Sequence, residues 1–285
     1  MSSVVSSDPA LVSVPVGAKE LQVEYQWVGE ACDTGPVIVF LHEGLGSLGM
    51  WKTFPDHLAR ACGVQGLVYS RPGYGHSTPR RQGEKWTPLF MHQQATEVLP
   101  AFLSAVGLDP IRRPMVLMGH SDGGSISLLF SALTDWPCRG IIVMAPHLFV
   151  EDVSIRSIRQ AREVYLKTDM REKLARYHAD PDSAFWGWND VWLSPAFASW
   201  NIEDEVSAIT APILAIQGVD DEYGTLEQIR GIHRLCPRVE IAEISECRHS
   251  PHRDQPERVI VLCQQFVQRL DLDPKARERA SALAT

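Results

Sequence analysis

Six short runs of β-branched and apolar residues punctuate this chain: PVIVFLH (36–42), GLVYS (66–70), PMVLMGH (114–120), GIIVMAP (140–146), APILAIQG (211–218) and VEIAEIS (239–245). A strand solvated on one face alternates apolar and polar residues, whereas a strand covered on both faces is apolar without interruption. These runs are of the second kind, so the chain must supply helices for two faces of a sheet. It does. Stretches of helical period separate the runs, among them FMHQQATEVLPAFLSAVGL (90–108) and PERVIVLCQQFVQRL (256–270), the latter with Asp254 as candidate N-cap and Pro256 in its first turn. This alternation predicts an α/β fold with a mostly parallel central sheet and helices on both faces. Ahead of it, ALVSVP and LQVEYQWVG read as an antiparallel pair leading into the sheet.

The alternation fails once, between about Pro146 and Ala211. There EDVSIRSIRQAREVYLKTDMREKLARYH is helical by period and charge, and AFWGWNDVWLSPAFASWNIEDEV follows it. A helical cap over residues 147–210, carried above the C-terminal edge of the sheet, is the expectation. The core would then comprise 1–146 and 211–285, ending in a flexible tail, DPKARERASALAT.

Composition narrows the function. With 285 residues, 45% of them apolar, the chain fills a large core and is neither disordered nor fibrous. A net charge of −8, from 27 basic and 35 acidic residues, argues against a nucleic-acid partner. The start, MSSVVSSDPALVSV, has neither a basic n-region nor a sustained apolar h-region, and no stretch nears 18 uninterrupted apolar residues. The expectation is a cytoplasmic protein without a membrane anchor. Six cysteines lie scattered with no C-x-x-C, as reduced thiols do, and no metal is implied.

Gly119, Ser121 and Gly123 spell G-x-S-x-G where a predicted strand meets the helical stretch SISLLFSAL. A serine lifted above a sheet needs a sharp, strained turn, and the residues two before and two after it must be tiny to avoid collision. A serine hydroxyl is a poor nucleophile unless a histidine takes its proton and a carboxylate orients that histidine. Both partners follow, in VDDEYG after the strand 211–218 and in ECRHSPHRDQPE after the last strand.

With these motifs in order, the chain resembles the α/β-hydrolase superfamily across nearly its whole length. The matching segments are HEGLGS (42–47), SRPGYGHS (70–77), GHSDGG (119–124), GVDDEYG (218–224) and CRHSPH (247–252). The resemblance implies a serine nucleophile, no cofactor, and a Ser-Asp-His chain order. It points to Asp221 over Asp220, since the family acid is the third residue after the glycine, here Gly218. His249 is favoured over His252, which reads as a surface or capping residue. Arg248 stands where the family has glycine, and a fixed cation there would favour neutral imidazole. Backbone N–H groups of Gly44 and Asp122 would form the oxyanion hole, although Glu43 replaces a family glycine beside the first of them.

Asp122 admits two readings. In the first helical turn it gains roughly 0.3 to 1 kcal/mol from the helix dipole. Beside an acyl site it would attract a cationic substrate group, as the similar elbow of the family member valacyclovir hydrolase does with an amino group. Aimed at the oxyanion it would cost about 3 kcal/mol, so it must turn away or be answered by a cation. Trp186, Trp188, Trp192 and Trp200 place half of the eight tryptophans in the cap, as its core or as the walls of an apolar substrate pocket over Ser121.

An aspartate-nucleophile dehalogenase or epoxide hydrolase is set aside because the elbow centre is Ser121. The expected activity is hydrolysis of a carboxylic ester of a small, partly apolar molecule. Carbon–carbon cleavage of ring-fission products, amino-acid ester hydrolysis and a ligand sensor on the same fold stay open, as does a monomer or a homodimer.

Overall fold

The computed structural model describes residues 8–32 and 34–272, so the tail expected to be flexible lies outside the described residues. Eight strands form one sheet: β1 (Ala10–Val16), β2 (Lys19–Val28), β3 (Val37–Leu41), β4 (Gln65–Tyr69), β5 (Met115–His120), β6 (Cys138–Met144), β7 (Ile213–Gly218) and β8 (Val239–Ile244). Their order is β1-β2-β4-β3-β5-β6-β7-β8. β1 and β2 form an antiparallel hairpin, β2 joins β4 antiparallel, and every later pairing is parallel.

Strands β3 to β7 are buried almost throughout, as uninterrupted apolar runs demand. β8 departs from that expectation. It is the edge strand on the parallel side of the sheet, and Glu240 and Glu243 on it reach solvent. Successive residues of a strand face opposite sides, so the sheet divides its apolar residues between two cores. Met115 and Leu117 join one core, Val116 and Met118 the other.

Helices α1 (Phe54–Cys62), α2 (Phe90–Gln93), α3 (Leu99–Ala105), α4 (Asp122–Leu133), α5 (Asp152–Lys167), α6 (Met170–Leu174), α7 (Pro181–Trp192), α8 (Glu203–Ser207), α9 (Glu227–Leu235), α10 (Pro251–Asp254) and α11 (Pro256–Arg269) complete the fold. α1 and α11 pack together on one face; Leu58, Cys263 and Phe266 enter its core. α3, α4 and α9 cover the other through Phe102, Leu128, Leu129 and Ile232. A π-helical turn, Gln94–Val98, joins α2 to α3. It directly precedes Leu99-Pro100, where proline can neither donate an N–H nor tolerate a tight i−4 carbonyl.

Pro256 opens α11 as expected, but Gln255 holds the cap position and the Asp254 carboxylate instead accepts the Arg248 amide at 2.7 Å. Between β6 and β7 lie α5 to α8. α5 buries Ser154, Ile158, Ala161 and Tyr165, a helical spacing of four, three and four. α7 starts at Pro181, its Asp180 cap accepting the Ser183 amide at 2.8 Å. A β-bridge between Phe149 and Asn201 ties the two ends of this segment together. Among the described residues, no helix is long and apolar enough to cross a membrane.

Candidate active site

Ser121 sits between β5 and α4 with φ 52° and ψ −120°, a conformation that costs a non-glycine residue of order 1 to 3 kcal/mol. The flanking glycines make the turn possible. A Cβ on Gly119 would fall 2.1 Å from the Gly123 carbonyl oxygen, and one on Gly123 would fall 2.1 Å from the Leu41 carbonyl oxygen. The Ser121 amide donates to the Met144 carbonyl at 2.9 Å, which pins the turn to β6.

The loops after β7 and β8 bring two side chains to it. His249 Nε2 lies 3.0 Å from Ser121 Oγ, and His249 Nδ1 lies 2.8 Å from Asp221 Oδ1. The carboxylate can only accept, so the ring carries its proton on Nδ1 and presents Nε2 as an acceptor to the serine. Asp221 is itself fixed: Oδ1 accepts the amides of Tyr223 at 2.8 Å and Gly224 at 3.3 Å, and Oδ2 accepts Gln217 Nε2 at 3.0 Å. Burial works against both charges. The ion pair outweighs it, holding His249 above the usual histidine value and Asp221 below the usual carboxylate value. Asp220 is exposed, its amide spent on the Cys247 carbonyl.

Two expectations about this loop are corrected. Arg248 does not bias the imidazole toward its neutral form; its side chain is 69% exposed and reaches out to Glu222 at 3.5 Å. His252 is neither a surface nor a capping residue. It is buried against Trp51, Phe54 and His120, and burial drives its basicity well below the usual value.

Above Ser121 lies a pocket of about 110 Å³, walled by Gly44, Leu45, Asp122, His147, Trp188, Trp192 and Tyr223, among others. Gly44 follows β3, and as first residue of α4 Asp122 has an amide its helix cannot bond. Both expected oxyanion donors therefore border the cavity holding the hydroxyl. Trp188 and Trp192 reach it too, being four residues apart on one face of α7, with Trp188 stacked so close that a Cβ on Gly44 would meet its Nε1 at 2.2 Å. Trp186 does not. It lies on a different side of the helix, packed on Tyr165 and Phe185 with Arg162 over its ring. Trp200 stacks on Phe197 within the helical segment.

The pocket is more polar than its tryptophans suggested. Asp122 is buried beneath Trp192, whose Nε1 donates to Oδ1 at 3.2 Å, while Arg71 approaches Oδ2 at 4.0 Å. Burial pushes the Asp122 carboxyl up to about 6, with Arg71 and Trp192 opposing that rise. The aspartate is thus answered by a cation, one of the two arrangements its position demanded. Arg71 in turn is anchored on the Glu43 carbonyl at 2.9 Å.

The Glu43 side chain turns away from the serine, toward His120 Nδ1 at 3.5 Å and Arg253 at 3.3 Å. Burial alone would raise its carboxyl; the His120 contact and the nearby cations hold it well below the usual range. His120 Nε2 donates to the His249 carbonyl at 2.7 Å, so the loop after β3 and the histidine loop are joined through the residue before the nucleophile.

A sequence profile of the alpha/beta hydrolase family matches residues 38–261. The chain belongs to the alpha/beta hydrolase family. Proline iminopeptidase of Lactobacillus delbrueckii subsp. lactis is 32% identical over 115 residues, 40% of this chain, and the match spans only 36% of that relative's length. Among solved structures the fold resembles VinJ, with TM-score 0.73 and 20% identity over 93% of this chain and 100% of that one. It also resembles the enol-lactonase from Burkholderia xenovorans LB400, with TM-score 0.69 and 18% identity over 90% and 99% of the two chains.

Sequence reasoning overlooked Arg71, His120 and His147. Each is a buried polar residue outside any periodic pattern. His120 and His147 did carry a positional signal: they stand at or just past the C-terminal ends of β5 and β6, where sheets of this kind bind ligands.

Proposed function

We propose that this hydrolase cleaves a carboxylic ester of a small molecule through an acyl-enzyme. The observation that carries the reading is the continuous hydrogen-bonded chain Ser121–His249–Asp221 beneath a pocket bordered by Gly44 and Asp122. Ser121 Oγ attacks the carbonyl carbon as its proton passes to His249 Nε2. Asp221 holds the imidazolium, and the amides of Gly44 and Asp122 receive the oxyanion. The carbon–oxygen bond to the leaving alcohol then breaks, and His249 returns the proton to that oxygen. Water, deprotonated by His249, resolves the acyl-enzyme and restores the serine. Helices α5 to α8 act as the cap that decides what enters.

A burst assay with p-nitrophenyl esters of graded acyl length, on wild type and Ser121→Ala, tests this. A burst of about one equivalent that disappears in the variant supports it; no burst from folded protein overturns it.

A second reading, an aminoacyl substrate, is favoured by one observation: Asp122 borders the pocket, and its buried Oδ2 has no hydrogen-bond partner among the described residues. Arg71 competes for that oxygen. An aminoacyl ester turned over much faster than its deaminated counterpart would select this reading.

A further inference from the structure

Resting on the ester reading and its oxyanion hole, we infer that Arg71 is a positioning residue: it clamps the Glu43–Gly44 peptide so that the Gly44 N–H points at the developing oxyanion.

The Glu43 carbonyl accepts three hydrogen bonds, from His42 Nδ1 at 2.7 Å, Arg71 Nη2 at 2.9 Å and the Gly46 amide at 3.0 Å. His42 donates there because its Nε2 accepts the Arg71 amide at 3.0 Å, which leaves the ring proton on Nδ1. Burial foremost, then the Arg71 charge, holds this imidazole well below the usual histidine value, so the ring is neutral. In a trans peptide the C=O and N–H point in opposite directions, and among the described residues no peptide bond is cis. A carbonyl held by three donors therefore fixes where the next N–H points. None of the three donor residues borders the pocket over Ser121, whereas Gly44 does. The Gly44 amide has no backbone acceptor among the described residues.

The three donors are not equivalent. His42 and Gly46 belong to the same turn as the carbonyl and shape it from within. Arg71 follows β4, so its guanidinium ties that turn to a separate loop of the sheet. It is also the charged donor. Such bonds are about twice as strong as neutral ones, and they polarise the peptide so that its N–H becomes a better donor. The Arg71 side chain is wholly buried, its guanidinium 4.6 Å from the centre of the Tyr74 ring. Fold stability is a weak account of such a group, because replacing a buried ion pair by apolar side chains is often neutral or stabilising.

The test compares p-nitrophenyl acetate with its thiono analogue, in which sulfur replaces the carbonyl oxygen. Sulfur accepts hydrogen bonds poorly, so the ratio of the two kcat/KM values, each divided by the ester's uncatalysed rate, reads the oxyanion hole. The ratio also cancels the folded fraction. Wild type should favour the oxygen ester by about a hundredfold or more, the worth of one oxyanion donor. Arg71→Met should shrink that preference by about tenfold or more. Arg71 Nη2 also lies 4.0 Å from Asp122 Oδ2, so its charge could serve only to neutralise that carboxylate. The double variant Arg71→Met, Asp122→Asn separates the two roles, and it leaves neither charge of the pair buried alone should the single variant fail to fold. It should show the same reduced preference. A full preference for the oxygen ester in either variant overturns the inference alone. Wild-type turnover without a preference overturns the oxyanion hole beneath it, and no Ser121-dependent turnover of p-nitrophenyl acetate overturns the ester reading.

Discussion

Replacing Glu43 by glutamine removes a buried anion while preserving its shape. The Glu43 carboxylate lies 3.5 Å from the His120 ring, whose centroid is 5.1 Å from that of His249, so the charge acts on the imidazole over a distance on the order of 8 Å. At an effective dielectric near 20 this is about 2 kcal/mol. The Glu43 side chain is 16% exposed and its charge is shared with Arg253, which trims the effect to on the order of tenfold in the protonation equilibrium. The sign is fixed. An anion favours imidazolium, the base role proposed for His249 needs the neutral ring, and Asp221 and Glu222 beside it are untouched. Glu43→Gln should therefore move the acid limb of the kcat/KM profile to lower pH, making the variant up to about tenfold faster than wild type below the limb. The assay is acylation by an activated ester from pH 5 to 9, with urea midpoints confirming folded protein. An unmoved limb, or one displaced to higher pH, would refute the electrostatic argument.

Other expectations follow from the same contacts. Asp221→Asn should lower kcat by about three to four orders of magnitude, the carboxamide lacking the charge that stabilises imidazolium and no longer fixing the ring tautomer; a loss under tenfold would assign that role elsewhere. His249→Ala should abolish the burst, while His252→Ala should keep it per folded molecule and lose about 2 to 4 kcal/mol in urea unfolding, as truncation of a buried aromatic ring does. Gly123→Ala drives a methyl into the β3 main chain and should cost more than about 3 kcal/mol; a change under about 1 kcal/mol would mean the strand yields. Trp192→Phe removes the indole hydrogen bond to the Asp122 carboxylate and leaves only the more distant Arg71, a loss of about 1 to 3 kcal/mol at pH 8. Because Asp122 sits near 6, above its unfolded value, that loss should fade toward pH 5 as the group protonates; equal losses at both pH values would show that packing, not charge, is at stake.

What the sequence disclosed follows from how each feature is encoded. β3 to β7 were legible because burial on both faces writes itself as an unbroken apolar run, and β8 was over-read because an edge strand of similar composition is half-solvated. Ser121 was legible because the turn excludes any side chain at Gly119 and Gly123. Trp186 was misplaced because a tryptophan count carries no helical phase; only the four-residue spacing of Trp188 and Trp192 picks out one face of α7. Arg71, His120 and His147 were hidden for another reason. Each is defined by a partner remote in sequence: Asp122 is 51 positions from Arg71, and the His249 carbonyl 129 from His120.

The link between Ser121 and His249 closes a loop of 128 residues. On a ribosome adding about 5 to 20 residues per second, the elbow serine is made roughly 6 to 26 s before its base exists. On the proposed mechanism the serine lacks the group that takes its proton until β7 and β8 dock and the loops after them carry Asp221 and His249 to it. A product of premature termination between Ser121 and His249 therefore carries the elbow serine without the imidazole that stands beside it.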